Sequence, residues 1–225
     1  MNKKLTSILI VLISINLFSQ DYNTSTFNNA INFDLIKSEI SASYKLKSIN
    51  FDGNRYYFEE PKKANLELFD GRKIKNLLTN YNLFDQVFEV INNENQKVKL
   101  LPNKISKVFF SNNSFISLNG KFYESIESNE NFSLLADTFL EAYTPDYQPG
   151  FQEKPNLTFR TKNILFIYSS DKLVKFQRNK KSLLDLFSKS KSKEIKSFFK
   201  KNKFSPRDNN DLSKLFIEFY SDLII

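Results

Sequence analysis

The side chains in this chain that are best suited to bond-breaking chemistry are its carboxylates. They form three local groups: Glu59 with Glu60, Asp85 with Glu89, and Glu124 with Glu127 and Glu130. A glycoside hydrolase needs two carboxyl groups held at a set separation across a groove, and the fold decides that separation. Because isolated acidic residues are mostly solvated, we expect no catalytic residue among them. Carboxylate-dependent glycan hydrolysis is the alternative.

Composition excludes most other catalytic and cofactor chemistry. The chain has no histidine and no cysteine, so it cannot form a Ser-His-Asp triad, a Cys-His pair, or a zinc or haem site that uses those ligands. Its four glycines, at positions 53, 71, 120 and 150, are too far apart for a phosphate-binding glycine-rich loop. We therefore predict no metal and no cofactor.

Asp85 is the single acidic residue that the sequence singles out as a binding candidate. It ends the segment Tyr81-Asn82-Leu83-Phe84-Asp85, just before an alternating strand. One interpretation is that Asp85 contacts a ligand. The other is that Asn82 and Asp85 build a turn, since both residue types hydrogen-bond nearby backbone.

Positive charge is concentrated near the C-terminus. The whole chain carries a net charge of +8, whereas positions 160–207 contain 15 Lys/Arg against three Asp/Glu. We single out Lys196, Lys200 and Lys203 as candidate binding residues for an acidic envelope protein or an anionic polymer. The alternative is a solvated helix whose lysine stems cover apolar neighbours. Nucleic acid is disfavoured, because the phenylalanines there repeat at helical core spacing and not as a stacking platform.

Residues 1–19 have the layout of a secretory signal peptide. Lys3 and Lys4 precede an apolar stretch from Leu5 to Phe18, and Ser19 is a small residue at a suitable cleavage point. The stretch is short for a membrane span, which needs roughly 20 apolar residues, although an uncleaved anchor is the alternative. No later segment is long and apolar enough to span. The sequence thus predicts export across the inner membrane, to the periplasm or beyond the cell.

The remaining chain divides into three regions. In 20–50, the spacing of Phe33, Ile36, Ile40 and Tyr44 fits one face of a short helix. Region 51–178 alternates polar and apolar residues between turn signals, which predicts strands. Its Asp70-Gly71 pair predicts a type I′ hairpin turn. The segment 132–143 carries both periods, and we predict a strand there. The stretch 144–154 predicts an exposed loop.

Region 179–225 changes to a helical period. Leu212, Leu215, Phe216, Phe219 and Leu223 repeat at the spacing of one helix face, and Ser205-Pro206 predicts the start of that helix. The sequence therefore predicts an α+β fold. An antiparallel β-rich body, a meander or a partly closed barrel, is followed by two or three short C-terminal helices.

Three segments carry a resemblance to other proteins: Tyr81–Asp85, Lys180–Phe187, and Glu194–Lys203 with the helix after it. Their order resembles a recurrent type of small exported bacterial protein to which no activity has been assigned. The resemblance runs from about Phe51 to Leu223. It implies a strand-rich body, a helical tail rich in Lys and Phe, and no known catalytic residue.

Composition and resemblance together lead to one functional expectation and two alternatives. We expect a non-catalytic envelope or secreted protein that binds another macromolecule. The alternatives are the carboxylate-dependent glycan hydrolase and a structural protein that self-associates through exposed strand edges. A hydrolase needs a concave pocket holding two carboxyl groups, whereas a binding protein needs an exposed apolar or charged patch.

Overall fold

The computed structural model describes residues 33, 36–42, 54–143, 146, 148–151 and 158–224. The predicted signal segment 1–19, Tyr44 and most of the predicted loop 144–154 lie outside these residues. Within 20–50, Ile36–Ile40 form one turn of π-helix. Ile36 and Ile40 are buried within this turn, and Phe33 is buried just before it. The apolar residues of this region therefore pack in the core.

The body of the protein is one antiparallel sheet of eleven strands, the first of which has two residues. In chain order the strands are β1 Ser41–Ala42, β2 Lys62–Leu68, β3 Lys73–Asn82, β4 Val87–Ile91, β5 Lys97–Leu100, β6 Ile105–Phe109, β7 Ser114–Leu118, β8 Lys121–Ser128, β9 Ser133–Tyr143, β10 Thr158–Ser169 and β11 Lys172–Phe176. The order across the sheet is β1-β5-β4-β3-β2-β6-β7-β8-β9-β10-β11. The strand predicted over 132–143 is therefore confirmed as β9.

The sheet is open but strongly curled, as the link between β5 and β6 shows. Residues 101–104 connect these two strands although β4, β3 and β2 lie between them in the sheet. In a flat sheet the two would stand roughly 19 Å apart, at about 4.8 Å per strand. The link includes a tight turn in which the Lys104 N–H donates to the Leu101 carbonyl. The sheet must therefore bend to bring the two ends together.

Strand β3 is where much of this bending occurs. It pairs with β2 through Thr79 and with β4 from Thr79 onward. Asn76 adopts a left-handed φ of 60° in a bulge of β3, where two residues of β3 lie opposite Asn65 of β2, and its N–H donates to the Asn65 Oδ1 at 3.0 Å. Such a bulge increases local twist and bends the strand. The bend lets β3 pair with β2 along its first part and with β4 along its second part.

Two hydrophobic clusters stabilise the fold. The first fills the concave side of the curl, where Phe88 contacts Phe115 and Phe122 with ring centroids 5.0 and 4.9 Å apart. The second lies between β9–β11 and the C-terminal helices, with Leu215 and Phe216 fully buried. The tail is thus part of the packed structure, since burial of side chains of this size stabilises by roughly 1.5–3 kcal/mol each before entropy is subtracted.

The C-terminal region consists of a short turn of helix and two longer helices, which confirms the α+β class. They are α1 Lys180–Leu184, α2 Ser192–Lys201 after a 3₁₀ turn at Lys189–Lys191, and α3 Asn209–Phe219 continued by a 3₁₀ turn at Tyr220–Asp222. Within the described residues, no helix combines the length and the apolar character that crossing a membrane requires.

Two local predictions were wrong. Helix α3 is capped by Asp208, whose Oδ1 accepts the N–H of Asn210 at 2.7 Å and that of Asp211 at 3.2 Å, and not by Ser205. The Asp70-Gly71 turn is not type I′, because only Gly71 has a positive φ, 85°. The Gly71 N–H closes a turn on the Leu68 carbonyl at 3.0 Å. The glycine then provides the left-handed residue of a bulged hairpin.

Candidate functional site

Helix α2 is amphipathic, and its apolar side is committed to the core. Ile195 and Phe199 are buried against the second cluster, and Phe198 is half-buried. The helix ends in a Schellman motif, in which the Phe204 N–H donates to the Phe199 carbonyl at 3.0 Å and the Lys203 N–H to the Lys200 carbonyl at 3.3 Å. The rings of Phe199 and Phe204 stack with centroids 4.4 Å apart. This contact fixes the end of the helix.

The opposite side of α2 forms a continuous basic surface. Its members are exposed lysines at successive spacings of three, four and three residues, namely Lys193, Lys196, Lys200 and Lys203. We call this surface the lysine face. Because residues three and four apart are neighbours on a helix, the charges of Lys193, Lys196 and Lys200 adjoin. Lys203 follows them in the turn that ends the helix. None of the four forms an ion pair with another described residue, whereas the nearby Lys191 binds Glu194 at 2.9 Å.

Lys203 occupies a backbone position that normally favours glycine. Its φ is 50°, in the left-handed region, which costs a residue with a Cβ about 1–2 kcal/mol. In a Schellman motif this position is usually glycine. The charge at Lys203 is therefore retained at a conformational cost that a glycine would not incur.

Asp85 takes part in the turn that the sequence analysis offered as one interpretation. The Asn82 Oδ1 accepts the backbone N–H of Phe84 and that of Asp85, both at 3.0 Å. The Asn82 Nδ2 donates to the Asp85 Oδ2 at 3.2 Å, and the Lys99 Nζ lies 3.9 Å from the same oxygen. Asp85 is half-buried in these structural contacts, so its geometry gives no separate support to a ligand contact.

Glu89, the other member of that acidic pair, is fully buried and multiply bonded. Its Oε1 accepts the Asn82 Nδ2 at 2.7 Å, and its Oε2 accepts the Tyr56 hydroxyl at 3.0 Å. The Lys97 Nζ donates to the Tyr56 hydroxyl at 2.9 Å and lies 3.7 Å from the Glu89 Oε2. Burial lowers the pKa of Lys97, but Tyr56 and Glu89 outweigh burial and leave this pKa raised. The lysine is thus held in its charged form beside Glu89.

The third acidic group contains the arrangement that the sequence could not show. Glu124 pairs with Ala136 of β9 and Glu127 with Leu134, with a bulge between Ser125 and Glu127. Residues opposite each other in a ladder share a face, and Ala136 and Leu134 are two apart on one strand. The extra residue in β8 therefore places both glutamates on the same side of the sheet. Without the bulge, a spacing of three would place them on opposite sides.

Glu124 is held in place by two donors. The Tyr57 hydroxyl donates to its Oε1 at 2.8 Å, and the Asn113 Nδ2 donates to the same oxygen at 2.9 Å. Burial and the Glu124 charge raise the pKa of the Tyr57 phenol well above its ordinary value, so Tyr57 remains a donor. No described residue hydrogen-bonds to the Glu124 Oε2.

Glu124 and Glu127 line a cleft of about 640 Å³ between β8 and α3. We call it the carboxylate cleft. Its sheet side includes Asn113 beside the glutamates, and its helix side is formed by Asn210, Ser213 and Lys214. Sequence reasoning identified the glutamates but missed the helix side. The only sequence signal for the helix side of the cleft was the exposed polar positions of α3, and these resemble ordinary solvated residues.

The remaining acidic candidates do not join this site. Glu59, Glu60 and Glu130 are exposed, and Glu130 lies in the turn after β8, outside the carboxylate cleft. In the described part of the chain, no three Asp or Glu side chains come together in a way that would hold a metal ion. The structure thus offers two separate surfaces, the lysine face and the carboxylate cleft.

Comparisons with known proteins add no further constraint. No protein-family model, no curated protein sequence and no solved structure matches the chain.

Proposed function

We propose that this chain is an exported, non-catalytic protein that binds an anionic polymer of the cell envelope through its lysine face. The observation that carries the proposal is the row of lysines on α2 and in the turn that ends it, at positions 193, 196, 200 and 203, which the described chain leaves without ion pairs. Like charges brought together on one helix destabilise it, so their arrangement favours a partner that neutralises them.

The charge distribution of the whole chain supports this proposal. Positions 160–207 carry 15 Lys/Arg and three Asp/Glu, whereas the chain from residue 20 outside this segment carries 16 Lys/Arg and 22 Asp/Glu. A basic segment of this kind, which includes α2, attracts polyanions. The cost of a lysine at the left-handed position of Lys203 is consistent with a charge that is kept for binding.

The geometry favours a linear polymer over a lipid surface. The helical lysines from Lys193 to Lys200 span about 10 Å along the axis, at 1.5 Å per residue. Such a row matches repeating negative charges. A helix that binds a membrane inserts apolar side chains among its basic ones, but Ile195, Phe198 and Phe199 point into the core. An acidic envelope protein is the remaining partner to test.

The test is a binding titration with long-chain polyphosphate as the anionic probe. Reversal of three charges, in the variant K196E/K200E/K203E, should weaken binding at low salt at least about tenfold, at roughly 0.5 kcal/mol per exposed charge contact. The matched control, K73E/K104E/K107E, reverses two exposed lysines of the sheet and one in the link between β5 and β6. Equal binding by both variants would contradict the proposal, as would binding to anionic lipid vesicles or an acidic protein but not to polyphosphate.

Export is tested separately, on protein made in its native host. N-terminal sequencing of the mature protein should begin near Gln20, because the layout of residues 1–19 predicts cleavage after Ser19. Recovery of an intact Met1 from the envelope or medium would contradict cleavage, and recovery from the cytosol would contradict export.

One observation favours a second candidate function, glycan hydrolysis. The bulge in β8 places Glu124 and Glu127 on one side of the sheet, in a concave cleft. That chemistry needs two carboxyl groups that flank the scissile bond, so a glycan would have to lie over β8 between the two side chains. The test is release of reducing ends from oligosaccharides, which Glu124→Gln and Glu127→Gln should each abolish if the pair is catalytic. Wild-type protein that releases none would discard this candidate and leave the binding proposal intact.

A further inference from the structure

The carboxylate cleft carries charges of both signs, which points away from a strongly ionic ligand. Glu124 and Glu127 contribute two negative charges, and the helix side contributes Lys214, whose Nζ lies 3.7 Å from the Asp211 Oδ1. The Arg178 guanidinium donates to the Asn209 side chain, which also lines the cleft, at 2.8 Å. Arg178 is also close enough to Glu124 for that carboxylate to raise its pKa, against a larger lowering by burial. Positive and negative groups therefore offset each other around this space.

The cleft also has many hydrogen-bonding groups that the described chain does not use. The side-chain amides of Asn112 and Asn210, the Ser213 hydroxyl and the Glu124 Oε2 line it without a hydrogen bond among the described residues. Apolar groups contribute less, chiefly through Ile126 and Ile217. A set of carboxylate, amide and hydroxyl groups offers both donors and acceptors. It suits a ligand with many neutral hydroxyl groups.

We propose that the carboxylate cleft binds a neutral oligosaccharide, with Glu124 and Glu127 accepting hydrogen bonds from sugar hydroxyls and the asparagines both donating and accepting. This inference goes beyond the proposed function, because the cleft lies between β8 and α3 and shares no residue with the lysine face. It also names the substrate class that the second candidate function would require. The two donors on the Glu124 Oε1 orient the other oxygen for such a ligand.

The bulge in β8 is the local feature that places both glutamates on the same side of the sheet, facing this cleft. A buried strand that simply alternated would place one of the two glutamates on the far side, away from α3. Bulges commonly redirect a side chain beside a binding site. The same irregularity brings Ile126 into contact with the second cluster, so the core holds the redirected strand in place.

The test is a calorimetric or NMR titration of the full chain with neutral hexasaccharides of glucose and of N-acetylglucosamine, and with an anionic oligogalacturonate. At least one neutral sugar should bind, with oligogalacturonate weaker. Glu124→Gln and Glu127→Gln should each weaken binding about tenfold or more, the size expected for a lost charged hydrogen bond. The matched control, Glu130→Gln, should bind as the wild type does.

Two further variants make the outcome decisive. Ser213→Trp should block the cleft from the helix side and abolish sugar binding, and its circular dichroism spectrum checks that it is folded. The variant K196E/K200E/K203E should bind the sugar normally, which separates this inference from the polymer proposal. Absence of binding by every neutral sugar, or unchanged binding in both glutamine variants, would overturn the inference.

Discussion

Buried charged side chains of the sheet are paired, whereas the lysine face on helix α2 is exposed and forms no ion pairs with the described chain. In the sheet, Glu89 is fully buried and its two oxygens accept bonds from Asn82 and Tyr56, with Lys97 beside them. On α2, the lysine face is exposed and forms no ion pair with the described chain. Buried charges must be paired to be tolerated, whereas exposed charges need no internal partner. Charge in the sheet therefore serves structure, and charge on α2 is available for binding.

The largest effect should follow from breaking the buried network. Glu89→Ala leaves Tyr56 and Asn82 without their shared acceptor and Lys97 without its counter-ion. Loss of one partner from a buried ion pair costs about 3–5 kcal/mol. Urea denaturation should show this drop in the free energy of unfolding. The control, Glu94→Ala in an exposed turn, should change it by less than about 0.5 kcal/mol. A similar small loss in both variants would mean that the network is not structural.

A second large effect tests whether the tail belongs to the same folded unit as the sheet. Leu215→Ala removes a fully buried side chain of α3 and should cost about 2–5 kcal/mol in the free energy of unfolding. Ile217→Ala changes an exposed residue of the same helix and should cost little. If α3 unfolded independently of the sheet, Leu215→Ala would leave the main unfolding transition unchanged.

A smaller, opposite effect separates stability from binding at Lys203. Lys203→Gly should raise the free energy of unfolding by about 0.5–1 kcal/mol, because glycine relieves the left-handed strain but loses more entropy on folding. Lys203→Ala keeps the strain and should leave stability near that of the wild type. Both should weaken polyphosphate binding equally, since both remove the charge. Stronger binding by the glycine variant than by the alanine variant would contradict a role for the charge alone.

The smallest effect is a change in the free energy of unfolding at alkaline pH. It depends on Tyr57, which donates a hydrogen bond to Glu124 of the carboxylate cleft. Burial and Glu124 raise the pKa of Tyr57 in the folded protein, while the unfolded phenol titrates near its ordinary value of about 10. Tyr57 thus contributes stability that is complete below about pH 10 and declines as the pH rises above it. The free energy of unfolding of the wild type should therefore fall more steeply above pH 10 than that of Tyr57→Phe. If the free energies of unfolding of the two proteins fell in parallel above pH 10, the pKa of Tyr57 would not be raised in the folded protein.

Local signals explain why most strands and helices were predictable. The alternating segments around Asn119-Gly120 became β7 and β8, and both turn residues have positive φ, 52° and 75°. Such turns depend on two residues and their immediate neighbours. The apolar spacing of α3 was equally local. Four of its five predicted positions are buried, whereas Leu223 lies beyond the end of the helix and is half-buried. These features were readable because each element carries its own pattern.

Choices between two locally suitable residues were less predictable. Ser205 and Asp208 are both good helix caps, and the structure uses Asp208. The Ser205 N–H instead donates to the Asp211 Oδ2 at 2.9 Å, so the segment before the helix is folded against its first turn. That contact depends on how the chain arrives from α2, which the sequence around Ser205 does not specify.

Non-local pairing accounts for what the sequence could not predict. The curl of the sheet depends on β2 pairing with β6 and on the bend at Asn76. The joint orientation of Glu124 and Glu127 depends on the register between β8 and β9. A slip of one residue in a strand reverses every side chain. The candidate cleft therefore became visible only once the register was known, whereas the lysines of α2 were already visible as a helical row.

The most direct test of the central claim is the salt dependence of polyphosphate binding. The logarithm of the binding constant should fall linearly with the logarithm of salt concentration, with a slope of about −0.7 for each neutralised charge. The variant K196Q/K200Q/K203Q should reduce the magnitude of that slope by about two, while the control K73Q/K104Q/K107Q should keep the slope of the wild type. Identical slopes for all three proteins would contradict the assignment of binding to the lysine face.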